Sequence, residues 1–169
     1  MMLSVRESRT EDLPAMFKIY ELGRAHMRAE GNTVQWGATD FPEEKLENDI
    51  RTGISYVVVD ENDKVCGTFA FIIGDDPTYA VIEDGAWPDD EPYGTIHRIA
   101  SDQVTKGILR AALSYCDTKI NNIRIDTHAD NKTMQAAVAK QGFLRAGIIY
   151  VSDGTPRIAF YRHRLPGNC

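Results

Sequence analysis

Three side chains in the sequence are candidates for moving protons: His97, His128 and Tyr150. His97 lies within a predicted strand, His128 ends the next one, and Tyr150 follows a Gly-Ile-Ile run. Imidazole titrates near neutral pH, and a phenol can donate a proton to a leaving group. Each also has a structural interpretation, because strand histidines often complete hydrogen bonds and a tyrosine can cap a sheet face. The three residues are therefore candidate catalytic groups, with both interpretations open.

A second group of residues predicts an anion-binding helix terminus. Residues 94–100 predict a strand, and a short polar loop connects it to Lys106 and Gly107, where an apolar helical stripe begins. A helix N-terminus offers unpaired N–H groups and the positive end of a dipole, which suits a pyrophosphate. Gly107 allows close backbone approach, and Lys106 adds charge. An ordinary strand–loop–helix connection explains the pattern equally well.

The elements that would position these residues follow from apolar periodicity. Strands are predicted at 3–7, 54–60, 64–73, 79–82, 94–100, 122–127, 144–151 and 157–164. Helices are predicted from Thr10 as N-cap to about Arg28, from Pro42 with Leu46 and Ile50 inward, at 107–116 and at 131–141. The order β-α-α-β-β-β-β-α-β-α-β-β predicts an α/β protein with a mixed sheet covered by about four helices.

Composition limits the class of protein. The 169 residues are 43% hydrophobic and 26% charged, which predicts one globular domain over 1–169. The net charge of −6 gives no support for binding nucleic acid, and fits a cationic substrate and plain solubility equally well. No run approaches the roughly 18 apolar residues of a membrane span, and no secretory signal is visible. The cytoplasm is the expected compartment.

The cysteines predict neither a disulfide framework nor a zinc site. Cys66, Cys116 and Cys169 are odd in number and widely spaced. Cys66 falls in an apolar strand pattern and Cys116 on an apolar helix face, so both are expected to be small core residues. No metal is expected.

The C-terminal half carries a family resemblance. Asn131 opens a predicted helix that ends at Gly142 and Phe143 and, together with 96–113, it resembles the acetyl-CoA-binding half of the GNAT acetyltransferase superfamily. By element order the resemblance covers the whole chain. Three shorter segments, 35–37, 92–100 and 122–128, are similar to a bacterial subgroup of that superfamily. The resemblance implies the GNAT fold, a mostly antiparallel sheet whose middle strands splay apart.

The resemblance also implies an activity and a set of roles. The activity is N-acetyl transfer from acetyl-CoA to an amine of a small molecule or peptide. Direct attack in a ternary complex is expected, because no cysteine is placed convincingly as an acyl carrier. The backbone near Ile99, Ala100 and Ser101 would bind the pantetheine arm, and Asn131 would contact the cofactor from the next helix. A run of backbone N–H groups would hold the pyrophosphate: Thr105, Lys106, Gly107, Ile108, Leu109 and Arg110.

The sequence departs from the superfamily pattern in three places. Of the Gln/Arg-x-x-Gly-x-Gly/Ala signature only the central Gly107 is kept, and Leu109 stands where a small residue is usual. The loop before Gly107 is shorter than usual. Val138 stands where many members carry a tyrosine that protonates the leaving thiolate. A CoA-binding module without catalysis, and an acyltransferase for another acyl-CoA, therefore remain alternatives.

Candidate acceptor-binding residues lie in predicted loops: Trp36, Glu83 and Trp87. The two tryptophans could form an aromatic wall for a cationic group, or pin their loops to the core. Glu83 begins an acidic loop that could attract an amine or simply be solvated. Arg124 and Asp126 share one face of their strand and are expected to form an ordinary surface pair. The acceptor stays unspecified, and exposed sheet edges are compatible with a homodimer.

Overall fold

The computed structural model describes residues 2–29, 31 and 43–163. Over those residues the strands are β1 Ser4–Glu7, β2 Ser55–Val59, β3 Val65–Ile73, β4 Gly94–Ser101, β5 Asn122–Thr127, β6 Leu144–Tyr150 and β7 Pro156–His163. The helices are α1 Leu13–Ala29, α2 Glu43–Arg51, α3 Ile108–Cys116 and α4 Lys132–Lys140. Two short 3₁₀ turns cover Thr10–Asp12 and Pro77–Tyr79.

The strands form one sheet in the order β1-β2-β3-β4-β5-β7-β6. The pairs β1–β2, β2–β3, β5–β7 and β6–β7 are antiparallel, and β4 pairs with β5 in parallel. The register of β4 with β5 consists of Gly94 opposite Ile123 and Thr95 opposite Arg124, at the N-terminal end of each strand. The predicted α/β class, with a mostly antiparallel sheet and four helices, is confirmed.

The described residues fall into two compact units. The first comprises those of Met1–Phe71 and His97–Tyr115, and the second those of Ile72–Ile96 and Cys116–Cys169. Each unit has its own apolar cluster.

The first unit packs its helices on the sheet through an apolar stripe. In α1, Met16, Ile19 and Tyr20 recur at helical spacing and are at most 3% exposed. They pack in one cluster with Leu46 of α2 and Val57 of β2. Each buried side chain of this size contributes about 1.5–3 kcal/mol relative to exposure. The periodicity seen in the sequence therefore marks the buried face of α1.

The second unit has a core rich in aromatic side chains. Tyr79 and Tyr93 are buried together with Ile149 of β6 and Ala159 of β7. The rings of Tyr79 and Tyr93 stack with centroids 6.1 Å apart. Tyrosines buried in this way need partners for their hydroxyl groups. The Tyr93 hydroxyl accepts the backbone N–H of Asp76 at 2.7 Å.

The strand predicted at 79–82 is wrong. Tyr79 instead closes the 3₁₀ turn that Pro77 opens, and the Asp76 carboxylate accepts the N–H of Thr78 at 2.8 Å. The apolar run after Asp76 suggested a strand, but an aspartate cap followed by proline favours a turn. In this region, Glu83 forms an isolated antiparallel bridge with Ile148.

The helix start predicted at Thr10 is also wrong. Thr10 lies inside a 3₁₀ turn, and α1 begins at Leu13. The Asp12 carboxylate, rather than the Thr10 hydroxyl, accepts the N–H of Arg9 at 2.7 Å. The same carboxylate forms an ion pair with Arg6 at 2.8 Å. An ionised partner makes Asp12 the stronger acceptor, so the turn is organised around it.

Candidate functional site

The start of α3 has the geometry of an anion site. Gly107 has φ +86°, and its carbonyl oxygen accepts the N–H of Ala111 at 2.9 Å, so Gly107 caps the helix that begins at Ile108. The N–H groups of the first turn have no intrahelical acceptors and carry the positive end of the helix dipole. Lys106 and Arg110 flank this turn with exposed side chains. Backbone and side chains together therefore favour a phosphate group here.

The loop before α3 is organised by an acidic residue. The Asp102 carboxylate accepts the N–H of Val104 at 3.0 Å and both the N–H and the hydroxyl of Thr105 at 2.7 Å. Burial opposes ionisation, but these bonds outweigh it and hold the pKa of Asp102 below its usual value. The Thr105 N–H, predicted to hold a pyrophosphate, is thus directed at Asp102. Asp102, Lys64 and Lys106 line a surface cavity of about 400 Å³.

A glycine that the sequence analysis did not single out makes room for this helix. Gly67 lies inside β3, and a Cβ atom there would come within 2.6 Å of Ile108 Cγ2 and 3.0 Å of the Ala100 carbonyl oxygen. Those two atoms belong to the first residue of α3 and to β4. A glycine inside a strand often marks such a close approach, so the sequence did carry a signal.

The central strand β4 contains a left-handed residue. Arg98 has φ +52°, which costs a residue with a side chain on the order of 1–3 kcal/mol. It directly follows His97, which is half-buried, and precedes Ile99 and Ala100. The predicted base and the predicted pantetheine-binding backbone therefore lie on either side of an irregularity in the strand. No sequence pattern distinguished Arg98 for this conformation.

In the second unit, the structure brings together two predicted site residues. The Tyr150 hydroxyl donates to Glu83 Oε2 at 2.9 Å, and this bond with the adjacent negative charge raises the pKa of Tyr150. The backbone of Glu83 is fixed by its N–H and carbonyl bonds to Ile148 at 2.9 and 2.8 Å. Beside it, Asp84 pairs with Arg145 at 2.8 Å. Tyr150 remains 43% exposed, so the pair faces solvent.

The expected surface pair of Arg124 and Asp126 is wrong. Arg124 is 6% exposed, and its guanidinium carbon lies 4.1 Å from the ring centre of Trp87 and 3.9 Å from that of Tyr93. Asp126 instead accepts the Tyr79 hydroxyl at 2.7 Å. Two aromatic rings from distant parts of the chain cover the guanidinium, and strand periodicity contains no information about them.

These contacts assign Trp87 an anchoring role. Its Nε1 donates to the Tyr79 carbonyl oxygen at 2.9 Å, and its ring lies 5.0 Å from that of Tyr79. Arg124 covers the ring and also donates to the Asp89 carbonyl oxygen at 3.1 Å. Of the two interpretations of Trp87, these contacts favour pinning of its loop to the core. Trp36, the other candidate, lies outside the described residues.

His128 and Asn131 organise the turn between β5 and α4. His128 Nδ1 accepts the N–H of Asp130 at 3.0 Å, which in the neutral ring assigns the proton to Nε2. Asn131 is 5% exposed, and its Oδ1 accepts the N–H of Met134 at 3.1 Å, which makes it the N-cap of α4. Val138, inside α4, is fully buried. An apolar side chain at that position has no proton to give.

Within 2–29, 31 and 43–163, no three histidine, cysteine or acidic side chains are grouped as a metal site would need. Over the same ranges, no helix has both the length and the apolar character for crossing a bilayer. Cys66 and Cys116 are free thiols, 2% and 0% exposed, as expected of core residues.

Comparison with known proteins gives matches among solved structures. No protein-family model matches the chain, and no curated protein does. The chain is 26% identical to a GNAT-family acetyltransferase from Streptococcus agalactiae, over 96% of each chain and with a TM-score of 0.86. It is 20% identical to another from Bacillus cereus, over 98% of this chain and 99% of that one, with a TM-score of 0.62.

A third similar structure was solved with a ligand. It is a phosphinothricin acetyltransferase from Sinorhizobium meliloti in complex with acetyl-CoA, 16% identical over 96% of this chain and 89% of its own, with a TM-score of 0.63. This structure and the one from Bacillus cereus bear on the fold alone. The Streptococcus agalactiae protein combines a higher identity with close superposition over nearly the whole length of both chains.

Proposed function

The chain belongs to the GNAT superfamily of acyltransferases, and on that premise we propose that it moves the acetyl group of acetyl-CoA to an amine. The acceptor is a small molecule or a peptide, and one domain over 1–169 carries the reaction. The observation that carries the proposal is the N-terminus of α3. There Gly107 caps a helix whose free N–H groups are flanked by Lys106 and Arg110. This is the arrangement that a pyrophosphate needs.

Acetyl-CoA extends from this terminus along β4 in the proposed complex. The first-turn N–H groups of Ile108, Leu109 and Arg110 bind the pyrophosphate. The backbone of Ile99 to Ser101 hydrogen-bonds the pantetheine arm. These proposed hydrogen bonds are made by main-chain groups, so the loss of most of the superfamily signature leaves them in place. The Sinorhizobium meliloti structure, which shares the fold, was solved in complex with acetyl-CoA, and we propose the same co-substrate here.

The acetyl group passes directly to the acceptor. The amine nitrogen, in its neutral form, attacks the thioester carbonyl carbon, the C–S bond breaks, and CoA leaves as a thiolate. The nitrogen gives one proton to a base and the thiolate takes one up. The two described cysteines, Cys66 and Cys116, are buried, which supports this route over a covalent intermediate on either of them. Burial and the adjacent Asp117 raise the pKa of Cys116 to about 12, so its thiol is a poor acyl carrier.

Proton transfer falls to three candidates. His97 in the first unit is proposed as the base, acting directly or through water. Tyr150 is proposed as the acid, because a tyrosine phenol is protonated at neutral pH and the shift in the pKa of Tyr150 is upward. Its partner Glu83 supplies negative charge for a cationic acceptor. His128 remains an alternative base, although its Nδ1 already accepts the N–H of Asp130.

A CoA-binding module without efficient turnover is the second candidate function. The fully buried Val138 favours it, because the superfamily tyrosine implied at this position is replaced by a group that cannot donate a proton. Leu109, in the first turn of α3, also favours it, because a leucine in place of the usual small residue narrows the approach of a pyrophosphate to the helix. An acyltransferase that uses a longer acyl-CoA is a third. We place each of these functions in the cytoplasm, where free thiols such as Cys66 and Cys116 persist.

Thermal denaturation with ligands separates these functions. A ligand at one hundred times its Kd stabilises the folded protein by about 2.7 kcal/mol, a rise in Tm of roughly 5–10 °C for a chain of this size. Acetyl-CoA and CoA are expected to give such a rise. If Tm does not rise with acetyl-CoA, CoA or longer acyl-CoAs, the assignment of a CoA-dependent function is wrong. A rise without CoA release over a panel of amines would favour the binding module.

A further inference from the structure

Arg98 is unusual among the residues with a left-handed backbone. Four described residues other than glycine have a positive φ: Asp63, Asp84, Arg98 and Gln103. Asp63, Asp84 and Gln103 lie outside the strands and helices, whereas Arg98 lies in the middle of β4. Arginine has no intrinsic preference for this conformation. Surrounding contacts must therefore hold it there.

Two helices supply such contacts. The Arg98 guanidinium forms an ion pair with Asp49 of α2, and the side chains are 17% and 9% exposed. From α1, the Tyr20 hydroxyl donates to the Arg98 carbonyl oxygen at 3.0 Å. Burial raises the pKa of Tyr20 to about 12, so this donor stays protonated at physiological pH. One contact holds the side chain of Arg98 and the other holds its backbone.

The arrangement is poorly suited to stability alone. It buries an ion pair, whose desolvation offsets much of its attraction. Arg98 Nε is also buried, with no hydrogen-bond partner among the residues the structure describes. A strained backbone, a buried ion pair and an unsatisfied donor thus coincide at one residue. Such coincidences are found where a conformation serves a function.

The conformation acts on the residues that follow. An irregular residue bends a strand and changes the direction of the groups after it. The residues after Arg98 are Ile99, Ala100 and Ser101, whose backbone is proposed to bind the pantetheine arm. Fixing φ at Arg98 therefore fixes the direction in which these backbone groups point.

We propose that Asp49 and Tyr20 are positioning residues, which hold Arg98 in the left-handed conformation and so aim the backbone of Ile99 to Ser101 at acyl-CoA. This inference rests on the proposed function. It makes α1 and α2 part of the machinery that orients the cofactor, through contacts at Arg98 rather than through contact with the cofactor itself.

Four substitutions at one site test whether the backbone conformation matters. Arg98→Gly, Arg98→Asn, Arg98→Ala and Arg98→Val all remove the ion pair, but they differ in tolerance of a positive φ. Glycine adopts it freely, asparagine less so, alanine poorly and valine least. Affinity for acetyl-CoA, measured by isothermal titration, is expected to fall in that order. Between Arg98→Gly and Arg98→Val the difference is about tenfold.

Steady-state kinetics should show the same order. The KM for acetyl-CoA is expected to rise from Arg98→Gly to Arg98→Val, while the KM for the amine stays constant. If Arg98 had a purely structural role, all four variants would lose Tm. Their affinities for acetyl-CoA would then follow that loss of Tm and not the tolerance of a positive φ. Equal affinities across the four, with binding by the unaltered protein, overturn the inference alone. No binding by the unaltered protein overturns the proposed function and this inference with it.

A milder pair of substitutions covers the case in which the Arg98 variants fail to fold. Tyr20→Phe removes only the hydroxyl that donates to Arg98, and is expected to weaken acetyl-CoA binding about threefold. Tyr56→Phe is the matched control, because its hydroxyl donates at 3.4 Å to the Gly53 carbonyl oxygen in the same unit. The control should bind acetyl-CoA normally. Equal effects of the two changes would contradict the inference.

Discussion

The two units of the chain build their candidate sites in different ways. In the first, the features that matter are main-chain features, namely the φ of Gly107, the φ of Arg98 and the space above Gly67. In the second they are side-chain contacts, such as the Tyr150–Glu83 bond and the rings around Arg124. A site built from main-chain groups survives most substitutions of side chains, whereas a site built from side chains depends on which side chains are present. On the proposed function, we therefore expect the first unit to carry the general part of the activity and the second unit to determine the particular part.

The largest expected effect tests the side-chain character of the second unit. Arg124→Ala removes a cation from between Trp87 and Tyr93 and a donor to Asp89, and should lower the free energy of unfolding by about 2–4 kcal/mol. Urea denaturation measures the loss, and Arg124→Lys should lose less. Affinity for acetyl-CoA should not change. If Arg124→Ala lost less stability than Arg124→Lys, that result would contradict the role of the stacked guanidinium.

The next effect concerns the acid. Tyr150→Phe should lower kcat about a hundredfold with little change in acetyl-CoA affinity. Glu83→Gln removes the charge that raises the pKa of Tyr150, so this pKa should fall and activity should be lost at a lower pH on the alkaline side. The pH dependence of kcat measures this shift. An alkaline limb that stays in place in Glu83→Gln would exclude Tyr150 as the titrating acid.

A matched pair of glycine substitutions compares the units directly. Gly67→Ala brings a Cβ to 2.6 Å from Ile108, so α3 must shift, and acetyl-CoA affinity should fall about tenfold. Gly147→Ala brings one to 2.5 Å from the Glu83 carbonyl oxygen. It should disturb the Glu83–Tyr150 pair and leave acetyl-CoA affinity intact. Titration calorimetry on both variants checks this, and equal losses would remove the distinction between the units.

The smallest effect concerns two similar turns. Asp102→Asn should cost about 1 kcal/mol at neutral pH, as loss of a cap does, and tighten acetyl-CoA binding about twofold because a negative charge near Lys106 is gone. The folded-state pKa of Asp102 is lowered, so its contribution is present above the unfolded pKa. The contribution is lost on acidification below about pH 4. Denaturation at several pH values measures it.

The control for this prediction lies in the other unit. Asp153 accepts the N–H and the hydroxyl of Thr155 at 2.9 and 2.6 Å, much as Asp102 does with Thr105. Asp153→Asn should leave acetyl-CoA affinity unchanged. Tighter binding in Asp153→Asn would attribute the effect to net charge rather than to the position of Asp102.

Much of the fold was predictable because periodicity reports burial. The stripe of Met16 and Tyr20 in α1, and the alternation around Ile123 and Ile125 in β5, indicated buried faces that the structure confirms. The prediction failed at 79–82, because Tyr79 is buried within a 3₁₀ turn rather than within a strand, and Val81 is exposed. Hydrophobicity alone does not distinguish the two.

The candidate site was less predictable, because its geometry depends on contacts between distant residues. Arg124 is covered by Trp87 and Tyr93, which lie 37 and 31 residues earlier in the chain. The left-handed Arg98 is held by side chains from two helices, which no local pattern encodes. Gly107 was found because glycine at a helix start has a local signature. Main-chain features with such signatures can be predicted, and those imposed by tertiary contacts cannot.

The indole that Arg124 covers also has a spectroscopic consequence. Trp87 is one of two tryptophans in the chain, so Trp36→Phe would leave it as the sole indole fluorophore. Its Nε1 is hydrogen-bonded and its ring is stacked, which should restrict rotation and give a high emission anisotropy. Release of the loop would lower the anisotropy and shift the emission to longer wavelength. The protein thus carries an intrinsic optical probe of its second unit.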